Sequence, residues 1–492
     1  MSEISAIEAP AIEVPLLIGG LSRAASDGRT FERRHPVTGQ LVSVAAAATL
    51  DDVDAAVQAA SRAFPAWAAL GPSERRMRLL KAADSLELRL SEFLSLAAET
   101  GAKANWYGFN VKLAANILRE AAAMTTQIQG SVIPSDVRGN FAMALRQPCG
   151  VVLGIAPWNA PVILAVRAIA MPLACGNTVV LKASEASPGV HALIGQALQQ
   201  AGLGDGVVNV ISNAPEDAPA VVERLIAHPA VKRVNFTGST HVGRIIGQLA
   251  ASHLKPAVLE LGGKAPFLVL ADADLDAAVE AAAFGAYFNQ GQICMSTERL
   301  IVDEDVADEF VARLGAKVKS LRAADPGDPA AALGSLIDAA AGERIQSLVD
   351  DAVAKGAILV AGGERDASVM QPVLLDQVDT RMRLYHEESF GPVAVVLRAR
   401  GDEALLALAN DSEFGLSAAI FSRDTQRALA LAQRLESGIC HINGPTVHDE
   451  AQMPFGGVKA SGYGSFGSTA AIDAFTQLRW VTVQSGQRHY PI

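Results

Sequence analysis

Val231-Lys232-Arg233-Val234-Asn235-Phe236-Thr237-Gly238-Ser239-Thr240-His241-Val242-Gly243 passes from an apolar, β-rich run to a glycine-tipped turn and then opens a helix. A turn of this kind aims backbone N–H groups and the positive helix end at an anion, commonly a phosphate. The same residues equally suit an ordinary turn with a serine N-cap. The spacing is not Gly-x-Gly-x-x-Gly, so the usual dinucleotide fingerprint is absent.

The strand–helix texture extends upstream. Short apolar runs at 151–155, 178–181, 207–210 and 231–236 alternate with helix-length segments at 161–175, 188–201 and 216–227. Such alternation implies a parallel sheet with right-handed crossovers and helices on both faces, the nucleotide-binding type of architecture. It restarts after Glu260, with runs at 267–270, 299–302, 358–360 and 393–397. Residues 49–126 read as helical: Val53, Val57, Ala60 and Phe64 share one face, and a second helix opens at Pro72 with Met77, Leu80, Ala83 and Leu90 on one side. Two strand-like segments, 127–147 and 476–484, fit neither unit and suggest a small sheet for subunit contact. The fold expected is α/β, with two doubly wound domains and a small β element. Residues 1–126 with 148–259 form the first domain, 260–475 the second, and 127–147 with 476–492 the β element.

Composition narrows the function. The 492 residues carry a formal charge of −11, and no Lys/Arg run exceeds two, so no basic face for nucleic acid is expected. No apolar stretch reaches the ~20 residues needed to span a bilayer. Residues 1–15 lack the basic lead and apolar block of a secretory signal. The four cysteines are scattered without a Cys-x-x-Cys pair, which fits reduced thiols in a cytoplasm. The nine histidines form no ligand cluster, so no metal is expected.

Cys294, in Gly291-Gln292-Ile293-Cys294, and Glu260, in Glu260-Leu261-Gly262-Gly263-Lys264, make a candidate nucleophile and base. Asn159, in Pro157-Trp158-Asn159-Ala160-Pro161, is either an oxyanion donor or a turn residue. Lys182-Ala183-Ser184-Glu185 follows a strand, where a carboxylate could accept from ribose hydroxyls or simply be solvated. Glu388-Ser389-Phe390-Gly391-Pro392 could hold a sugar hydroxyl or be a loop; Pro454-Phe455-Gly456-Gly457 could line a pocket or pack in the core. Cys149, Cys175 and Cys440 read better as buried small hydrophobes. His441 cannot pair with Cys440, because neighbours in a strand face opposite ways.

Taken in order, these motifs resemble the NAD(P)-dependent aldehyde dehydrogenase superfamily through nearly the whole chain. The resemblance implies a Rossmann-like NAD-binding domain, a catalytic domain and an oligomerisation element. It implies that Cys294 attacks the aldehyde carbon, that Asn159 and the Cys294 N–H hold the oxyanion, and that Glu260 activates water against the thioester. It assigns cofactor contacts to Ile155, Trp158, Lys182, Glu185, Gly238, Ser239, Gly243, Leu261, Glu388 and Phe390. Glu185 favours NAD over NADP, and the family suggests a homodimer or homotetramer.

Asn159-Ala160-Pro161, Cys294-Met295-Ser296-Thr297-Glu298-Arg299, the segment 448–454 and Ser461-Gly462-Tyr463-Gly464 resemble the aromatic-aldehyde branch, the salicylaldehyde, vanillin and benzaldehyde dehydrogenases. Ala160 leaves room for a flat ring, with Trp158, Ile293, Met295 and Phe455 as apolar walls. Many relatives follow the Ser-Gly-x-Gly segment with Arg-Glu, where this chain has Ser465-Phe466. No second carboxylate is therefore available there, and Glu260 should carry the base role alone. The alternatives are an aliphatic aldehyde or semialdehyde enzyme, for which Arg167 is the candidate cation, and a cysteine thioester or ester hydrolase. CoA-dependent acylation is disfavoured because Glu260 is present.

Overall fold

A computed structural model describes residues 11–492. Most of the 1–15 segment, and the first ten residues of the first expected domain, lie outside the described residues.

The first sheet has eight strands. Five are parallel, in the spatial order Ala257–Glu260, Val231–Thr237, Val151–Ile155, Thr178–Lys182, Val208–Ile211. Val151–Ile155 and Thr178–Lys182 are buried throughout, which explains their unbroken β-branched runs: helices cover both faces. The strand order reverses between Val151–Ile155 and Val231–Thr237. In open α/β sheets, the crevice outside the carboxyl ends of such a pair is where ligands bind.

Both edges of this sheet are antiparallel. At one, the hairpin Leu16–Ile18 and Leu21–Arg23 lies beside Val208–Ile211. Its turn, Gly19-Gly20, has φ of 63° and 84°, the geometry of a two-residue hairpin. No element was read in the sequence before residue 49. At the other edge, Gly462–Tyr463 pairs with Ala257–Glu260 and places the late segment beside Glu260.

The helix Leu50–Ala68 begins with a capping box between Thr49 and Asp52 and buries Val53, Val57 and Ala60 as expected. The next helix, Pro72–Leu88, turns a different face inward. Leu79, Ala82, Ala83 and Leu86 are buried, whereas Met77 and Leu80 are exposed and Leu90 lies beyond its end. The alanine stripe lets this helix pack closely on Ala104–Met124.

The second sheet has seven strands, ordered Ile358–Ala361, Val373–Asp376, Val393–Ala399, Thr297–Asp303, Ala265–Val269, Ser417–Phe421, Ile439–Ile442. All neighbours are parallel except the first pair. Val373–Asp376 and Ser417–Phe421 went unread, the latter because Ser417, Ala418 and Ala419 carry no β signal. A third sheet joins Thr476–Gln484 to Asn140–Pro148, with Ser131–Ile133 outside. It leaves Val132, Leu478 and Trp480 exposed. Among the described residues, no helix is long and apolar enough to cross a membrane.

Candidate active site

Cys294 follows the one-turn helix Phe288–Gly291, in which Asn289, Gln290 and Gly291 all have positive φ, 48°, 57° and 69°. Two consecutive non-glycine residues in this region store strain and persist only where surroundings impose them. Here the surroundings do so. Asn289 Nδ2 donates to the Asn159 carbonyl at 3.2 Å, Gln292 Oε1 accepts from the Ile337 N–H at 2.9 Å, and Ser296 Oγ donates to the Gly291 carbonyl at 2.9 Å. Gly263 backs onto the loop so closely that a Cβ there would lie 2.3 Å from the Cys294 carbonyl oxygen.

Asn159 stands just before the helix Pro161–Ala174. Its Nδ2 donates to the Gln292 carbonyl at 3.0 Å, and its own carbonyl accepts from Trp106 Nε1 at 2.8 Å. Glu260 ends its strand with the side chain buried and neither carboxyl oxygen hydrogen-bonded. Burial raises its pKa to about 7, opposed by the Arg167 cation and the Cys294 thiol. The half-buried Cys294 has its pKa pushed well above the usual thiol value by desolvation and by Glu260. Burial thus favours the uncharged thiol, beside a carboxyl group whose own pKa burial has raised.

Two spaces meet at this sulfur. One begins at the strand-order reversal as a cleft of about 850 Å³ lined by Ile155, Lys182, Glu185, Gly238 and the helix Thr240–Ser252. It continues past Trp158 and Thr237 into a cavity of about 380 Å³ lined by Ser239, Glu260, Leu261, Glu388, Phe390 and Cys294. Ser239 is indeed a helix N-cap, its Oγ accepting from the Val242 N–H at 3.3 Å, and it also faces this cavity. Glu185 is held by Lys182 and by Asn213 Nδ2, the latter at 3.0 Å.

Glu388 accepts from the Gly263 N–H at 2.8 Å, and burial together with Glu298 raises its pKa to about 8. Phe390, at φ 45°, meets the Trp158 ring edge-on with centroids 5.8 Å apart. Gly243 packs against Leu261, whose Cδ2 would be 2.2 Å from a Cβ there, so helix and strand approach closely. Trp158 lines the cleft and its continuation to Cys294, not the second space.

The second space, about 430 Å³, holds Asn159, Ala160, Ile293, Met295, Phe455 and Cys294 on its lining. Four of its rings went unread: Trp106 and Phe109 on one helix, Phe284 and Phe288 at the end of another. They form a continuous chain, with centroids 5.7 Å apart for Phe109–Trp106, 5.2 Å for Trp106–Phe288 and 4.9 Å for Phe288–Phe284. Their helical spacings, three and four residues, were the available signal.

Arg167 also lines this space, paired with Asp449 at 2.5 Å, its guanidinium 4.3 Å from the Phe455 ring centroid. Asp449 is held by Arg167, and its charge adds to the effect of burial in raising the Glu260 pKa. Phe466, where many relatives carry the acid, is buried and bridges by backbone to Phe455. Nothing in the structure explains Ser465. Glu298, quoted in a motif without a role, is buried with Lys264 and accepts from the Ser389 and Phe390 N–H groups at 2.9 to 3.1 Å.

Comparison with known proteins agrees with this arrangement. A vanillin dehydrogenase of Pseudomonas fluorescens is 78% identical over 481 residues, covering 98% of this chain and all of the relative. The structure of a salicylaldehyde dehydrogenase from Pseudomonas putida G7, complexed with salicylaldehyde, superposes with a TM-score of 0.96 at 49% identity, covering 98% of this chain and 100% of that one. An NAD-dependent aldehyde dehydrogenase from Sinorhizobium meliloti superposes at 0.94 with 34% identity, covering 98% and 97%. Residues 23–481 match the aldehyde dehydrogenase family. The chain belongs to that family, whose members are enzymes that oxidise aldehydes with NAD(P).

Proposed function

We propose that this enzyme oxidises an aromatic aldehyde, of the vanillin, salicylaldehyde or benzaldehyde type, to its carboxylate with NAD. The observation that carries this reading is the ring-lined space that shares Cys294 and Asn159 with the dinucleotide cleft. Flat aromatic walls suit a flat ring by edge and face contact.

The residues of the cleft fit a dinucleotide. The helix end at Ser239 suits the pyrophosphate. Lys182 and Glu185 suit the adenosine ribose, and a 2′-phosphate would meet the Glu185 carboxylate. Glu388 and Phe390 suit the nicotinamide ribose. Bound there, NAD supplies the hydride acceptor.

Glu260 takes the Cys294 proton, and the sulfur bonds to the aldehyde carbon, giving a thiohemiacetal. One Asn159 amide proton is committed to Gln292. The other, with the Cys294 N–H, holds the oxyanion. Departure of hydride from that carbon leaves a thioester on Cys294. Glu260 gives up the first proton to solvent and deprotonates the water that attacks the thioester; the C–S bond breaks, the carboxylate leaves, and Glu260 returns its proton to the Cys294 sulfur.

On this reading, 1–126 with 148–259 bind NAD, 260–475 carry the nucleophile, and the three-stranded sheet joins subunits into a homodimer or homotetramer. A cytoplasmic location suits the four free thiols. The test is an NADH-absorbance screen of benzaldehyde, salicylaldehyde, vanillin and short alkanals with NAD and NADP. Ring aldehydes with NAD should give the highest kcat/KM; preference for alkanals would overturn the reading.

A further inference from the structure

We infer that Asp449 is a charge lock on Arg167, fitting the aldehyde space to uncharged rings and excluding aldehydes that carry a carboxylate. The inference rests on the function proposed above and adds a specificity residue to it.

Arg167 is the only Lys or Arg, and Asp449 the only Asp or Glu, among the described residues lining the space. Their side chains are 7% and 9% exposed. Arg167 sits on the helix Pro161–Ala174, on the face that also brings Ile163 and Leu164 to the lining. Its guanidinium lies over Phe455, the ring expected to wall the substrate. Unpaired, it would be a ready receptor for an anionic group on a substrate entering this space.

Asp449 cancels that. It arrives from a remote segment, spends Oδ2 on Arg167, and keeps Oδ1 buried without a hydrogen-bond partner. A substrate carboxylate approaching Arg167 therefore meets an existing anion in a poorly solvated space, where like charges repel strongly. Burying such a pair costs desolvation and is a poor route to stability, so its presence here points to discrimination between substrates. The loop carrying Asp449 is the device, and the substrate's charge is what it reads.

The test compares wild type and D449N, which keeps side-chain shape while removing the charge, with D449A as a second variant. Steady-state kinetics use benzaldehyde and the 2-, 3- and 4-carboxybenzaldehydes with NAD. Wild type should strongly prefer benzaldehyde. In D449N the ratio of kcat/KM for the best carboxybenzaldehyde over benzaldehyde should rise about tenfold or more, carried by KM. A residue that merely propped up Arg167 would raise KM for all four alike, and that result overturns the inference. So does a wild type that takes carboxybenzaldehydes as well as benzaldehyde.

A binding arm needs no turnover. Terephthalate, which has no aldehyde, should raise the Tm of D449N or D449A and leave wild type unmoved; equal shifts overturn the lock. Failure of the ring-aldehyde reading would show separately, as wild type leaving benzaldehyde unoxidised.

Discussion

The side-chain amide of Asn159 donates to the backbone carbonyl of Gln292 at 3.0 Å, tying the proposed oxyanion donor to the loop that carries the thiol. Donor and nucleophile therefore keep their mutual position whatever the substrate. N159A removes both the donor and the tie, and kcat should fall about 10²–10³-fold. Stopped-flow NADH formation checks this, and a loss confined to KM would contradict it.

Cys294 and Glu260 divide the chemistry in a way kinetics can separate. C294A should form no NADH with any aldehyde. E260Q should give a burst of NADH followed by slow turnover, as acyl-enzyme accumulates. The base must be ionised, and burial holds Glu260 near pH 7, so wild-type turnover should rise with pH through about 7. A flat profile there would argue against Glu260 as the base.

Ala160 lines the ring space at the foot of the helix that carries Arg167. A160F adds a ring where the substrate's own ring is expected. KM for benzaldehyde and vanillin should increase at least about tenfold, with a smaller change for short alkanals, since overfilling a packed site costs roughly 1–3 kcal/mol. Equal increases for both classes would count against the pocket assignment.

Glu298 is not among the residues lining either space, yet it fastens the Ser389–Phe390 turn by its N–H groups and pairs with Lys264. E298Q should raise KM for NAD more than KM for aldehyde. It should also lower stability by about 3–5 kcal/mol, because a buried Lys264 loses its counter-charge. Calorimetry of NAD binding and thermal melts measure the two effects independently.

Glu99 is fully buried, accepts from Ser43 Oγ and from the Gly189 and Val190 N–H groups, and has its pKa raised by burial to about 7. The folded chain thus binds a proton that the unfolded chain gives up near pH 4.5. Its stabilising contribution is complete below that value and is lost as pH rises through about 7. E99Q should flatten the fall in Tm over this window, and an unchanged slope would refute the assignment.

Much of the fold was legible because parallel strands covered on both faces must be continuously apolar, as 151–155 and 178–181 are. Cys294, Glu260 and Asn159 could be singled out because each adjoins a glycine- or proline-marked segment. What escaped was assembled across distance. The ring chain draws on Trp106 and Phe288, which no local pattern links, and Asp449 meets Arg167 from the far end of the chain. The face of the helix Pro72–Leu88 was misjudged because size was weighed over smallness: its alanines, not Met77 and Leu80, allow the close packing observed.

Cys294 belongs to the lining of both chambers, as do Asn159 and Leu164. On the function proposed, one sulfur serves two rooms, so aldehyde and dinucleotide need not compete for the same volume. A change confined to the ring-lined room can then retune the choice of aldehyde while leaving the carrier's berth as it is.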